Sequence, residues 1–423
     1  MSKTRVCLVT TGHLSTNPRL VKEADALAEA GYAVRVVACR FWPWADAADA
    51  AFADRSWPVR RVRFGALAEG MGGRWIRVRH RLARELAYRM GAHRAPDGLL
   101  RRAAHYVTPE LARAALAEPA DLYIAHNLGA LPAAALAAAR HRARLGFDAE
   151  DFHRGELHDG PDTAPVRELT AAIEDRFLPR CDYVTAASDG IGQAYHQAAG
   201  IDLPTTVLNV FPLSDRDVEI APAALDAEVP SGARSLHWFS QTIGPNRGLE
   251  DVVRALPELP EDVVLSLRGG WADGYEPELR GLADRLGVGH RLHALGHCPP
   301  DEVVRRAAQH DVGLALELGT TVNRDLCVTN KLFTYVLAGL PTVATSTTGQ
   351  RGVHALLPHA VRLYEPGDIG GLVAAVEGLL GDPATRAAAR EAGPAYSWDR
   401  EKETFLQVVR STTGGPSREG GRP

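Results

Sequence analysis

Long apolar runs are missing from this chain: no stretch of its 423 residues approaches the roughly 18 uninterrupted apolar positions that a membrane-spanning helix needs. The apolar run after Met1-Ser2-Lys3-Thr4-Arg5 is also too short for a signal-peptide core, so a soluble, cytoplasmic protein is expected. Cysteine is scarce. Its five copies, Cys7, Cys39, Cys181, Cys298 and Cys327, are odd in number, widely scattered and free of any C-x-x-C pair, which argues against a disulfide framework or a zinc site. No other metal-ligand pattern is present, and neither a metal nor a cofactor is expected. A basic excess is absent too: the formal net charge is -4, whereas a general nucleic-acid binder needs a positive balance to neutralise phosphates. Any basic patch must be local.

What is present suits two α/β domains, with 45% hydrophobic and 24% charged residues over a length that two cores can share. Arg5 to Thr10 reads as a buried strand, 11–17 as a polar loop, Pro18 to Ala30 as a helix and Ala33 to Ala38 as a second strand, the opening of a doubly wound domain. Strands at Leu122 to Ala125, Arg144 to Phe147 and Tyr183 to Ala186 continue it. A second set runs through Ser235 to Phe239, Val263 to Arg268, Val312 to Leu316 and Thr342 to Thr345, alternating with helical patterns. The expected organisation is an N-terminal domain over 1–211, a Pro-, Asp- and Ala-rich connection over 212–234, and a second domain over 235–395. A last helix over 396–410 and a disordered tail over 411–423 complete it.

Chemistry-bearing residues gather where strands end. The loop from Gly12 through His13 and Asn17 to Arg19 precedes a helix, where backbone N–H groups can hold an anion; equally, Gly12 can serve a tight turn with positive φ. Phe239 to Glu250, with Gly244, Arg247 and Gly248, repeats strand, glycine loop and helix, a geometry suited to a diphosphate. Arg247 is read as a cation for such an anion, against the plainer reading of a solvated side chain. Thr348 and Gly349, in the loop 346–352, offer phosphate or sugar contacts, and turn composition accounts for them equally well. Arg74 to Arg84 interleaves arginines with Trp75 and aliphatics, either a peripheral membrane or acidic-acceptor contact or a solvated helix face.

The run Asn330-Lys331-Leu332-Phe333-Thr334-Tyr335-Val336-Leu337-Ala338-Gly339-Leu340-Pro341 resembles N/P-x-K-L-F-E-Y-x-x-A-G-x-P of the retaining GT-B glycosyltransferases of family 4. Three further stretches resemble the same family: Arg19 to Val34 its opening helix, and Asp121 to Pro132 with Gly146 to Asp151 its D-V-x-H-A-H-D and Y-D-x-H-E/D pair. The departures are specific. Thr334 stands where the family has the ribose-binding Glu, Leu326 where its partner Glu stands eight residues earlier, Thr242 at a phosphate-binding cation position, and Glu150 at a His commonly near the transferred sugar.

The resemblance implies an α/β protein of two Rossmann-like parallel-sheet domains facing a cleft. It implies a retaining enzyme that moves a sugar from a nucleotide-diphosphate sugar to a small acceptor, an alcohol or a thiol. The donor would be held by Gly12, Gly244, Arg247, Glu317, Lys331, Leu332, Thr334, Thr348 and Gly349, and the acceptor by His13, Asn17, His126, Asn127 and Asp151. Glu150, His153, Arg247 and Lys331 would be catalytic, although Glu150 and His153 also read as a loop salt-bridged to Arg154. Two other readings stay open: transfer to a lipid-linked or polysaccharide acceptor at a membrane surface, and a nucleotide-sugar-binding protein without turnover.

Overall fold

The computed structural model describes residues 3–65 and 71–415. It forms two compact units. The first is built from the chain up to Val207 with Thr321–Asn323 and the end from Lys402, the second from Leu208–Thr320 and Arg324–Glu401.

In the first unit, β1 (Arg5–Thr10), β2 (Ala33–Arg40), β3 (Val59–Arg63), β4 (Leu122–His126), β5 (Arg144–Ala149), β6 (Tyr183–Ala186) and β7 (Thr205–Thr206) form one parallel sheet in the order β3-β2-β1-β4-β5-β6-β7. Crossover helices cover the sheet, so its central strands are buried on both faces and read as near-continuous apolar runs. The helix Pro18–Glu29 starts where expected, since Pro18 fits a first turn and the Asn17 side chain caps it by accepting from Leu20 N at 3.0 Å.

The second unit repeats the plan with β8 (Arg234–Ile243), β9 (Val263–Trp271), β10 (Leu292–Gly296), β11 (Val312–Ala315), β12 (Thr342–Thr345) and β13 (Val361–Tyr364), ordered β10-β9-β8-β11-β12-β13 and all parallel. Its core gathers Leu236, Trp238, Leu265, Leu267, Val312, Leu314 and Val343. The architecture is thus two Rossmann-like parallel-sheet units. Each strand order reverses once, between β1 and β4 and between β8 and β11, and such switch points open a crevice at the strands' carboxyl ends.

Four strands had no counterpart in the sequence reading: β3, β7, β10 and β13, which are the four sheet edges. An edge strand buries less and carries mixed residues, as in Val59-Arg60-Arg61-Val62-Arg63, so it leaves no apolar run to find. The segment 212–234 contributes the short helices Leu213–Arg216 and Pro222–Asp226, and its buried Glu228 pairs with Arg268 and Arg306. The last helix spans Trp398–Thr413, so residues 411–413 of the expected disordered tail are helical, while 416–423 lie outside the described residues. No helix among the described residues is long and apolar enough to cross a membrane.

One buried cation staples the second sheet. Arg291, 2% exposed, donates to three backbone carbonyls, Val263 O at 2.7 Å, Leu256 O at 2.6 Å and Pro260 O at 2.8 Å. Arg291→Met keeps the apolar stem but leaves these acceptors without a donor, and it should lower the unfolding free energy by about 3 kcal/mol. Urea unfolding measures this, and an unchanged midpoint would show that the staple contributes nothing.

Candidate functional site

Two strand-end edges carry the residues singled out by sequence, one in each unit. In the first unit, β1 and β4 lie side by side with Thr10 opposite His126, which brings the loop after β1 to the residues after β4. Thr10 Oγ1 donates to Asn127 Oδ1 at 2.9 Å, and Asn127 takes a left-handed conformation at φ 71°. Gly12 does not have the positive φ expected of it. A Cβ there would lie 3.2 Å from Thr16 Oγ1, close enough that this side chain would have to give by a few tenths of an ångström, and the Gly12 N–H donates to Thr10 Oγ1.

His13 is fully buried, and its Nε2 accepts from the backbone N–H groups of Phe41 and Trp42 at 3.0 and 3.1 Å. That fixes the ring proton on Nδ1, facing Asp49 Oδ2 at 3.5 Å. Instead of an acceptor contact, His13 ties its loop to the chain after β2. Asn17 likewise caps a helix and donates to Thr10 Oγ1.

Below that loop lies a charge cluster that sequence reasoning did not assemble. Arg19 donates from Nε and Nη2 to the two Asp148 oxygens at 2.6 and 2.7 Å and from Nη1 to Val207 O at 2.6 Å. His126 stands between Glu23 Oε2 at 3.2 Å and Asp148 Oδ2 at 3.4 Å, and Thr185 Oγ1 donates to Asp148. All four charged side chains are at most 1% exposed. Burial opposes protonation of His126, but Glu23 and Asp148 outweigh it and lift its pKa to about 9. Burial likewise opposes a charged Asp148, yet Arg19 and His126 hold it well below the usual carboxylate range. Burial and the neighbouring Asp148 push the Glu23 carboxyl up, against the pull of His126 and Arg19. The ring expected to touch an acceptor is thus one member of a buried charge cluster.

Glu150 follows β5 directly and is half-buried; burial pushes its carboxyl up, opposed by Arg19. Arg154 pairs with Glu174 and Asp175. His153 Nδ1 is bonded to Glu156 Oε1 at 2.5 Å; burial opposes its charge, and Glu156 raises its pKa in spite of that. Asp151 sits in the same turn, its carbonyl accepting from Tyr195 Oη at 3.1 Å.

In the second unit the loop after β8 meets the end of β11. Gly248, at φ 73°, lies so close that a Cβ would stand 2.8 Å from Leu316 O. This close approach brings the loop that carries the half-buried Arg247 against the end of β11, with Gly244 packed nearby against Ala272. Arg247 makes no ion pair among the described residues. Lys331, in the first turn of the helix Asn330–Ala338, donates to Glu317 Oε1 at 2.6 Å and sits 5.5 Å from the Trp238 ring. Thus Glu317 and Lys331, 14 residues apart, are brought together. Gly349 lies under the Leu326 and Cys327 carbonyls, where any Cβ would clash, and Thr348 N donates to Asp325 Oδ1.

Two donor-side expectations change. Leu332 is fully buried and belongs to the core of its helix. Thr334 is 1% exposed, and its hydroxyl donates to Asn330 O at 2.7 Å, one turn back along the same helix. Ser346 and Gln350, in the loop 346–352 but not singled out within it from sequence, sit where β12 ends. Ser346 Oγ, Gln350 Oε1, Thr329 Oγ1 and Glu317 Oε2 are all buried without a hydrogen-bond partner among the described residues. Strand-end position alone could have flagged the first two.

No family model matches the chain, and no curated protein matches it. Solved structures do. HepE of Anabaena, solved in complex with UDP, is 17% identical over 97% of this chain and 99% of that one, with a TM-score of 0.67. Sucrose-phosphate synthase from Thermosynechococcus elongatus is 16% identical over 96% and 98%, with a TM-score of 0.68. A glycosyltransferase from Rickettsia africae is 12% identical over 97% and 99%, with a TM-score of 0.65. The fold is that of the GT-B glycosyltransferases. At such identities the likeness establishes the GT-B fold and leaves the reaction to the residues.

Two outcomes follow. A His126 whose folded pKa of about 9 exceeds its unfolded value near ~6.5 stabilises the GT-B chain fully below the lower value and loses that contribution as pH rises through the higher. Wild type should therefore lose about 3 kcal/mol between those two pH values that His126→Gln does not lose. Parallel unfolding curves for the two proteins would mean that His126 carries no proton in the fold. At the other edge, Thr334→Val should change nucleoside diphosphate affinity less than twofold while Lys331→Met weakens it, as titration calorimetry can measure.

Proposed function

We propose that the chain is a glycosyltransferase that moves a sugar from a nucleoside-diphosphate sugar, the second unit binding the nucleotide and the first presenting the acceptor. The observation that carries this reading is Arg247, a cation at a switch-point edge with no acidic partner among the described residues. It stands in a glycine loop facing a strand end that also holds Lys331 and Glu317. A departing nucleoside diphosphate accumulates negative charge, and a cation fixed beside it lowers that cost. Lys331 arrives already neutralised by Glu317, so Arg247 carries the larger share of the diphosphate charge and Lys331 the smaller.

The ribose-binding carboxylate missing at Thr334 has a substitute in this reading. Glu317 Oε2, buried and without a partner, accepts a ribose hydroxyl, a stronger acceptor than a threonine hydroxyl spent on its own helix. HepE was solved with UDP and with UDP-glucose, which makes uridine the first base to test.

For the transfer itself, the bond from the sugar to the diphosphate breaks and a bond to the acceptor oxygen or sulfur forms, with retention of configuration. Glu150, its carboxyl raised by burial, receives the acceptor proton more readily than an ordinary surface carboxylate. A small alcohol or thiol is the proposed acceptor, and the reaction needs no bound cofactor. A second reading, a lipid-linked acceptor, is favoured by the outward apolar face of the helix Met71–Met90.

A thermal-shift panel of nucleoside diphosphates tests the donor side, because a ligand at a hundred times its Kd stabilises the native state by about 2.7 kcal/mol. One base should raise the midpoint, and Arg247→Ala should weaken that ligand about tenfold to a hundredfold. If no diphosphate stabilises the protein, the reading fails. Tight binding with neither hydrolysis nor transfer across a donor and acceptor panel would favour a nucleotide-sugar-binding protein instead.

A further inference from the structure

The helix Met71–Met90 is built inside out. Its inner face is made of small residues around one histidine: Gly73, Ala83 and Ala87 are buried, and buried His80 Nε2 meets Ala103 O at 3.1 Å. Its large apolar residues point away. Trp75, Val78, Leu82, Leu86 and Met90 recur at three- and four-residue intervals, so they form one stripe about 22 Å long, and each is between 41% and 62% exposed. Single exposed apolar residues need no explanation, but a continuous stripe of five does.

Charge lies beside the stripe on the remaining face. Arg74, Arg77 and Arg81 are exposed and make no ion pair among the described residues. The helix carries six arginines against the single Glu85, in a chain whose overall charge is -4. Nearby, ring contacts run from His80 to Tyr106, Phe64, Phe41 and Trp42, ending at the stacked and half-exposed Trp42 and Trp44.

We propose that this helix is a docking surface for a bilayer carrying anionic headgroups. It would lie in the interface with Trp75, Leu82 and Leu86 buried among the acyl chains and its arginines among the phosphates. The segregation decides for lipid: an apolar stripe flanked by exposed arginines matches the layered chemistry of a membrane surface, where long cationic side chains reach the headgroups while their stems stay apolar. Tryptophan prefers that same boundary. Nothing in this placement depends on the proposed sugar transfer, so each can fail without the other.

Co-sedimentation of the full chain with vesicles tests it, comparing pure phosphatidylcholine with a mixture containing about one-third phosphatidylglycerol. Wild type should bind the anionic vesicles and not the neutral ones, with binding that falls as salt is raised. The triple change of Arg74, Arg77 and Arg81 to Ala should weaken binding on the order of a hundredfold, and Leu82→Glu with Leu86→Glu at least as much. Both sets are exposed, and an unchanged circular dichroism spectrum will show that the variants remain folded. Failure to bind anionic vesicles, or binding unaffected by either set, overturns the proposal. Self-association without lipid that Leu82→Glu abolishes would also overturn it, assigning the stripe to a contact between two copies.

Discussion

Four charges removed from water at the strand ends of the first unit constrain everything around them. Arg19 and Glu23 come from the first helix, His126 from the end of β4 and Asp148 from β5, so one cluster ties three elements that are far apart in sequence. A charge buried alone would cost several kcal/mol, and removing any one member strands its partner. Its members hold one another: Asp148 takes two nitrogens of Arg19, and His126 keeps its proton between Glu23 and Asp148. That mutual hold fixes the register of helix against sheet, and with it the loop from Thr11 to Asn17 and the half-buried Glu150 above.

The two units place equivalent edges under opposite electrostatic conditions. At the first switch point the charges are closed to solvent, and of the nearby polar side chains His13 and Asn17 accept from backbone N–H groups while Asn127 accepts from the Thr10 hydroxyl. The second switch point is left incomplete. Glu317 and Lys331 neutralise each other, and among the described residues Arg247 has no acidic partner and buried oxygens of Glu317, Ser346 and Gln350 have no donor. Polar groups left unsatisfied inside a fold are costly and are few in native structures, and oxygens that lack donors suit a ligand that brings hydroxyl groups.

Legibility from sequence followed burial. Central strands such as Leu122 to His126, buried on both faces, announced themselves as apolar runs, and loops could be placed between them and the following helices. The four edge strands did not, because one side of each lacks a neighbour and tolerates arginine or polar residues. Site residues divided along another line. Arg247, Glu317 and Lys331 were visible as charges near strand ends, but that Lys331 is paired to Glu317 was not, since 14 residues of chain and a helix separate them. Thr334 was read as a weakened ribose contact, while the fold gives its hydroxyl to Asn330.

By itself the sequence determined the two-fold repetition of strand, loop and helix, and therefore which residues stand at strand ends, because periodicity and chain order are local properties. Only tertiary structure decided which of those residues face a ligand and which are consumed by the protein. Partnership between His126 and Glu23, between Arg19 and Asp148, or between Lys331 and Glu317 is a matter of distance and exclusion of water, and neither is written in any one segment. The outward turn of Trp75, Leu82 and Leu86 has the same origin. Their spacing marks a helix face, but which face is covered depends on what packs against Ala83 and Ala87.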